Sequence, residues 1–261
     1  MDLPTLAHSG AHVTTFGQEL GAGAAGLAAG LINAVAGGGT LVSFPVLVAL
    51  GVPSVHANIT NTVSLCPGYL GGVYAQRRDL AANADRLKSL LVVAATGGLT
   101  GSVLLLFTPE RLFRHLVPYL ILGACLLFAA QPGLKKMQRR DAAAPPNRLL
   151  LGVSVFACAL YGGYFGAGLG ILLLAALGLA LADPLPRLNA LKQALSLVIN
   201  LLAGCFFVFS GKVEWQYVAV MSVTSLVGGN LGGRLVGRLN PIVLRYVVIV
   251  FGVAAAVKFF V

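Results

Sequence analysis

Acidic side chains are scarce in this chain, and none of them sits inside an apolar run. There are eight, Asp2, Glu19, Asp79, Asp85, Glu110, Asp141, Asp183 and Glu214, all in loops or near the ends of apolar segments. A buried carboxylate relay of the kind found in proton pumps is therefore not visible. The four cysteines, Cys66, Cys125, Cys158 and Cys205, fall within apolar segments without metal-ligand spacing. They read as small packed hydrophobes, not as disulfide or metal partners. No nucleophile and base pair or metal cluster is visible, so no catalytic residue, metal or cofactor is assigned and an enzyme is disfavoured. Lys and Arg are missing before Gly17, which removes the basic n-region of a cleavable secretory signal, and the tail is expected to be retained.

What is present is apolar. Hydrophobic residues make up 57% of the chain and charged ones 10%, with a mean hydropathy of +0.88, against ~45–50% and ~25% in soluble domains. Membrane-length segments can be read at residues 20–36, 38–51, 59–75, 87–107, 116–130, 149–166, 168–181, 194–210, 215–233 and 242–261. No polar stretch is long enough for a separate soluble domain. The net charge of +10 would suggest nucleic acid in a soluble protein, but its distribution decides otherwise. If segments one and two form a hairpin, as do six and seven, all 18 Lys and Arg except Arg111, Arg114, Lys212 and Lys258 lie on one side. The positive-inside rule assigns that side to the cytoplasm. A multi-pass protein of the inner (plasma) membrane follows, with both termini extracytoplasmic, lipid as its surroundings and no nucleic-acid partner.

The chain also repeats itself at an offset of 131 residues: Gly37 and Gly39 recur as Gly168 and Gly170, Pro53 as Pro184, Asn58 as Asn189, Gly97, Gly98 and Gly101 as Gly228, Gly229 and Gly232, and Arg114 as Arg245. No insertion is visible in that register. An extracytoplasmic tail (1–16) leads into a first half (17–130), joined by a cytoplasmic linker (131–148) to a second half (149–261). Each half has five segments, or three crossings plus a hairpin. Either number is odd, so the second half must lie upside down relative to the first. The expected fold is an all-α polytopic membrane protein of two inverted-topology repeats, with eight to ten membrane segments. The second segment of each half is too short to span, since fourteen residues at ~1.5 Å each reach about 21 Å against a ~30 Å core. Each is expected to return through a glycine-rich tip, AVAGGGT in the first half and FGAGLG in the second.

A glycine-rich break opening a short helix offers backbone N–H groups at the positive helix end, where anions bind. Gly37, Gly38, Gly39 and Thr40, with Gly168 and Gly170 opposite, are therefore candidate substrate-binding positions, although glycines for tight packing would look the same. Polar residues cluster after each hairpin. Asn58, Thr60, Asn61, Thr62 and Ser64 in the first half answer to Asn189, Lys192, Gln193 and Ser196 in the second. Amides and hydroxyls donate to the oxygens of a carboxylate or sulfonate, and Lys192 can supply the compensating charge. The candidates are Asn58, Asn61, Thr62, Asn189, Lys192 and Gln193. Asn58 and Asn189 also suit helix N-caps, and Lys192 suits snorkelling to the interface. His56 is the nearest titratable group.

Other patterns carry less. Gly21, Gly23 and Gly26 match a dinucleotide-binding spacing without the required strand before them. His8 and His12 lie in the polar tail. Small-xxx-small spacing at Gly97 and Gly101, and at Gly228 and Gly232, fits internal packing or a homodimer equally.

The stretch AVAGGGTLVSFPVLVALGVPSVHANITNTVS resembles the signature of the sulfite exporter TauE/SafE family. The second-half stretch GGYFGAGLGILLLAALGLALADPLPRLNALKQALSLVIN resembles its paired motif, and GKVEW the turn that ends it. The second tip departs from the pattern, with GAGLG in place of a glycine triplet and Lys192 and Gln193 following. The resemblance implies a permease for sulfite or small organosulfur anions, often outward. The expected function is thus a secondary transporter of a small sulfur-containing or organic anion, working by alternating access. A passive anion channel or facilitator is the alternative.

Overall fold

A computed structural model describes residues 15–81, 84–137, 148–181, 183–235, 238 and 241–260. The tail with His8 and His12, and linker residues 138–147, lie outside the described residues. Within them every regular element is a helix: α1 (Phe16–Val35), α2 (Thr40–Ala49), α3 (Ser54–Ala75), the short α4 (Arg77–Ala81), α5 (Ala84–Phe107), α6 (Glu110–Met137), α7 (Arg148–Tyr164), α8 (Leu169–Ala180), α9 (Leu185–Val208), α10 (Trp215–Arg234) and α11 (Pro241–Phe260). Each of the ten segments read from the sequence contains a helix among its described residues. α6 also runs on to Met137, into the stretch read as linker, in spite of Pro132 and Gly133.

Local chemistry explains where several helices begin. Thr15 accepts from the Gln18 N–H, and the Gln18 side chain accepts from the Thr15 N–H, a reciprocal cap that starts α1. Pro53 and Pro184 hold extended backbone just before α3 and α9. The Glu110 carboxylate accepts from the N–H groups of Ser54 (2.6 Å) and Val55 (2.9 Å), so an acid from the start of α6 neutralises the positive end of α3.

Among the described residues four helices are long and apolar enough to cross a membrane: Arg86–Phe107, Glu110–Ala130, Leu185–Val208 and Val243–Phe260. α1, α3 and α10 match them in length but are richer in glycine and polar residues, and they pack on one another. Glycine makes that packing close. A Cβ on Gly229 would fall 1.9 Å from the Gly68 carbonyl oxygen, and one on Gly228 2.1 Å from that of Leu27. α5 and α7 meet in the same way, with Gly101 against the Leu160 carbonyl oxygen (2.0 Å) and Gly97 against that of Phe156 (2.8 Å). The small-xxx-small pairs therefore serve packing within the chain. Gly101→Leu should cost at least the ~1–3 kcal/mol of an overpacked core. Thermal unfolding in detergent checks this, and an undiminished melting temperature would remove Gly101 from the helix contact.

α2 and α8, with 10 and 12 residues, reach about 15 and 18 Å at ~1.5 Å per residue and cannot cross a ~30 Å core alone. Their lengths also correct the repeat register. Gly37 (φ +85°) corresponds to Gly166 (φ +75°), not to Gly168. Gly37 N–H and Ala36 N–H both bond the Ile32 carbonyl, as Gly166 and Phe165 both bond that of Tyr161. The 131-residue offset resumes at Pro53 and Pro184, after the two extra residues of α8.

Candidate functional site

The two tips touch. Gly170 N–H donates to the Gly37 carbonyl at 3.1 Å, and a Cβ on either glycine would fall 2.4 Å from the other's Cα. Phe44 of α2 packs edge-on against Phe165, with ring centroids 5.3 Å apart, which clamps the flanks of the same junction. The remaining tip glycines are enclosed as well. Gly39 lies against the Ala29 backbone, Gly38 against the Phe128 ring, and Gly168 (φ +77°) near Ala124 and Phe128. The Gly39 N–H donates to Asn33 Oδ1 at 2.7 Å, so the start of α2 already has an acceptor from α1.

The first polar cluster forms around α2 and α3. Asn61 donates to Thr40 Oγ1 (3.3 Å) and accepts from Ser43 Oγ (2.5 Å), tying the hairpin to α3. Asn58 donates to the Tyr164 carbonyl at the end of α7 (2.9 Å), while its buried Oδ1 has no partner. Thr62 turns back to the Asn58 carbonyl (2.9 Å). Asn58 and Asn189 stand within the first turns of α3 and α9, but their amides reach across to other helices and do not cap their own.

The second cluster is denser. Lys192 is 1% exposed, and its Nζ donates to the carbonyls of Asn33 (3.1 Å) and Ala34 (3.4 Å) in the last turn of α1. Snorkelling is excluded, since the ammonium ends on another helix within the protein. Asn189 donates to the Ala34 carbonyl (3.3 Å) and to Gln76 Oε1 (2.7 Å). Asn189, Gln193, Ser196 and Asn200 repeat at helical spacing along one face of α9. Gln193 lies against Gly72 of α3. Both amide atoms of Gln193, Ser196 Oγ and Gln76 Nε2 are buried without a partner among the described residues. Such groups are rare because each forfeits a hydrogen bond at a cost of ~1–3 kcal/mol.

Two ion pairs lie elsewhere, His56 with Glu214 at 3.4 Å and Arg86 with Asp183. His56 thus belongs to a half-buried pair joining α3 to the start of α10. A cavity of about 600 Å³ opens beside Pro53, Glu110, Arg114 and Lys258, between the end of α2, the start of α6 and the end of α11. A second, apolar cavity of about 370 Å³ lies among α6, α7 and α8 next to Tyr161.

Asn33, Ser43 and Gln76 complete the site, although none was among the sequence candidates. Asn33 was legible in principle, since an amide in LINAVAGGG is out of place in an apolar segment. Gln76 gave no such signal, because it follows α3 and looks like a loop residue.

Helical bundle, short non-spanning helices and buried polar tips together define a polytopic membrane transporter. The family model described as sulfite exporter TauE/SafE matches residues 22–259, and the chain belongs to that family. It is similar to a probable membrane transporter protein of Haemophilus influenzae, 29% identical over 89% of this chain and 91% of that one. It is also similar to the probable membrane transporter protein YfcA of Escherichia coli K12, 27% identical over 88% and 85%. A probable membrane transporter protein of Sinorhizobium, ORF9, is 23% identical over 88% and 87%.

Proposed function

We propose that this protein is a secondary transporter, working as an exporter, of a small sulfur-containing or organic anion such as sulfite or an organosulfonate. The observation that carries the reading is the second cluster: a buried Lys192 bonded to main-chain carbonyls, not to a carboxylate, beside four unpartnered polar atoms on Gln76, Gln193 and Ser196. Two of the three ammonium N–H donors are engaged, which leaves one for an anion. The orphan amide and hydroxyl donors suit the anion's oxygens.

The directly bonded tips support gated exchange over a permanent pore, because backbone contact closes the middle of the bundle. In alternating access the two halves, inserted with opposite orientation, rock about that junction. This reading places both termini outside the inner membrane, and the cavity beside Arg114 and Lys258 on the same outer side. A reporter fused after Val261 is expected to be active outside the cytoplasm; cytoplasmic activity would reverse the topology.

The deciding experiment is a thermal-shift screen of the purified protein against sulfite, sulfonates and carboxylates, followed by flux in liposomes. A ligand bound only by the folded state raises its apparent stability. Flux of the stabilising anion that responds to an imposed proton gradient supports coupled transport. Flux indifferent to every gradient except that of the anion itself points to a facilitator, and no flux of any of them rejects the reading.

A further inference from the structure

The geometry points to Lys192 as a built-in counter-cation at the end of α1, standing where a free Na⁺ would otherwise bind, so that the tip is assembled without Na⁺. This rests on the transporter reading of the same site and adds its ion requirement.

The argument begins with the carbonyls. An uninterrupted α-helix bonds the N–H of residue i to the carbonyl of i−4. At the end of α1 Ala36 N–H still makes the regular bond to Ile32, but Gly37, at positive φ, turns its N–H to Ile32 as well and not to Asn33. The carbonyls of Asn33 and Ala34 are thereby released at the negative end of a 20-residue helix. Surrounded by protein in a membrane, they need a donor. In transporters with broken helices, such C-terminal carbonyls are where a coupling Na⁺ is held. Here the Lys192 ammonium holds both.

The other half shows that hydrogen bonding alone does not call for a lysine. The Tyr164 carbonyl, at the end of α7, is satisfied by the neutral amide of Asn58. The residue in register with Lys192 is Asn61, which bonds Thr40 and Ser43 and carries no charge. Asn189 already supplies the amide at the Ala34 carbonyl. What Lys192 adds is therefore the positive charge, tethered to α9 and delivered to the tip by the fold.

The test compares melting temperatures in detergent at equal ionic strength in NaCl, KCl and choline chloride, for the wild type and for Lys192→Ala. The wild type is expected to melt at one temperature in all three. Lys192→Ala, with the carbonyls left open, is expected to melt lower in choline and to be raised progressively by Na⁺ or methylammonium. Lys192→Arg, which keeps the charge, should remain indifferent. Stabilisation of the wild type by Na⁺ over choline overturns the inference, as does a Lys192→Ala protein that melts alike in every salt. If Lys192→Ala does not survive extraction, the wild-type comparison decides alone. Absence of anion flux from wild-type liposomes would reject the transporter reading without touching this result, so the two fail separately.

Discussion

Lys192→Gln is expected to weaken anion binding by about two to three and a half decades, whereas Arg187→Gln weakens it by less than about tenfold. The first figure follows from the ~3–5 kcal/mol lost when one member of a buried, hydrogen-bonded charge pair is removed, at 1.4 kcal/mol per decade. The second follows from the ~0–1 kcal/mol of an exposed ionic interaction. Both residues lie on α9, but Arg187 is exposed in its first turn while Lys192 is 1% exposed and bonded to α1. A helix end contributes only about half a unit charge, so the tips alone cannot replace the ammonium. Glutamine keeps a donor and most of the length, which isolates charge from packing. Calorimetry with the anion found by the thermal-shift screen reads the difference. Equal losses in the two variants would make Lys192 a structural residue and send the search for the binding charge to Arg114 and Lys258.

The sequence carried the helices and their breaks well because those depend on local chemistry. Glycine runs, proline before α3 and α9, and the sudden shortness of α2 and α8 all have near-neighbour causes. Register at the tips was misread. Glycines at 37, 39, 168 and 170 align at one spacing by identity, yet the backbone pairs Gly37 with Gly166: Gly166 and Gly168 both hold positive φ, and only the hydrogen bonds that end α1 and α7 tell them apart. Lys192 was legible as a cation near a polar cluster, while its partners were not. Asn33 and Ala34 lie more than 150 residues away in the chain, and the acceptors are main-chain carbonyls that every residue possesses. The orphan atoms of Gln193 and Ser196 are a property of the packed protein and leave no trace in composition.

The other large effect is expected at the tip junction, where Gly37 and Gly170, set against Gly51 beyond the far end of α2, separate two physical causes. Gly51 has a positive φ (+94°) and nothing within 4 Å of a Cβ, so Gly51→Ala carries strain alone, ~1–2 kcal/mol. Gly170 has no positive φ, but its Cβ would fall 2.4 Å from Gly37 Cα, so Gly170→Ala carries the contact alone, ~1–3 kcal/mol or more because the atom met is backbone. Gly37 has both a φ of +85° and a Cβ 2.4 Å from Gly170 Cα. Thermal stability in detergent should therefore fall in the order Gly51→Ala, Gly170→Ala, Gly37→Ala, from least to most damaged. Transport should survive the first and be lost in the other two, since a wedge at the junction pushes α1 away from α8 and takes the Asn33 and Ala34 carbonyls with it. Combining Gly37→Ala with Gly170→Ala should cost less than the two separately, because they spoil one contact. A Gly37→Ala protein no less stable than Gly51→Ala, and still active, would mean that the tips do not bear on each other and that the bundle turns about some other point.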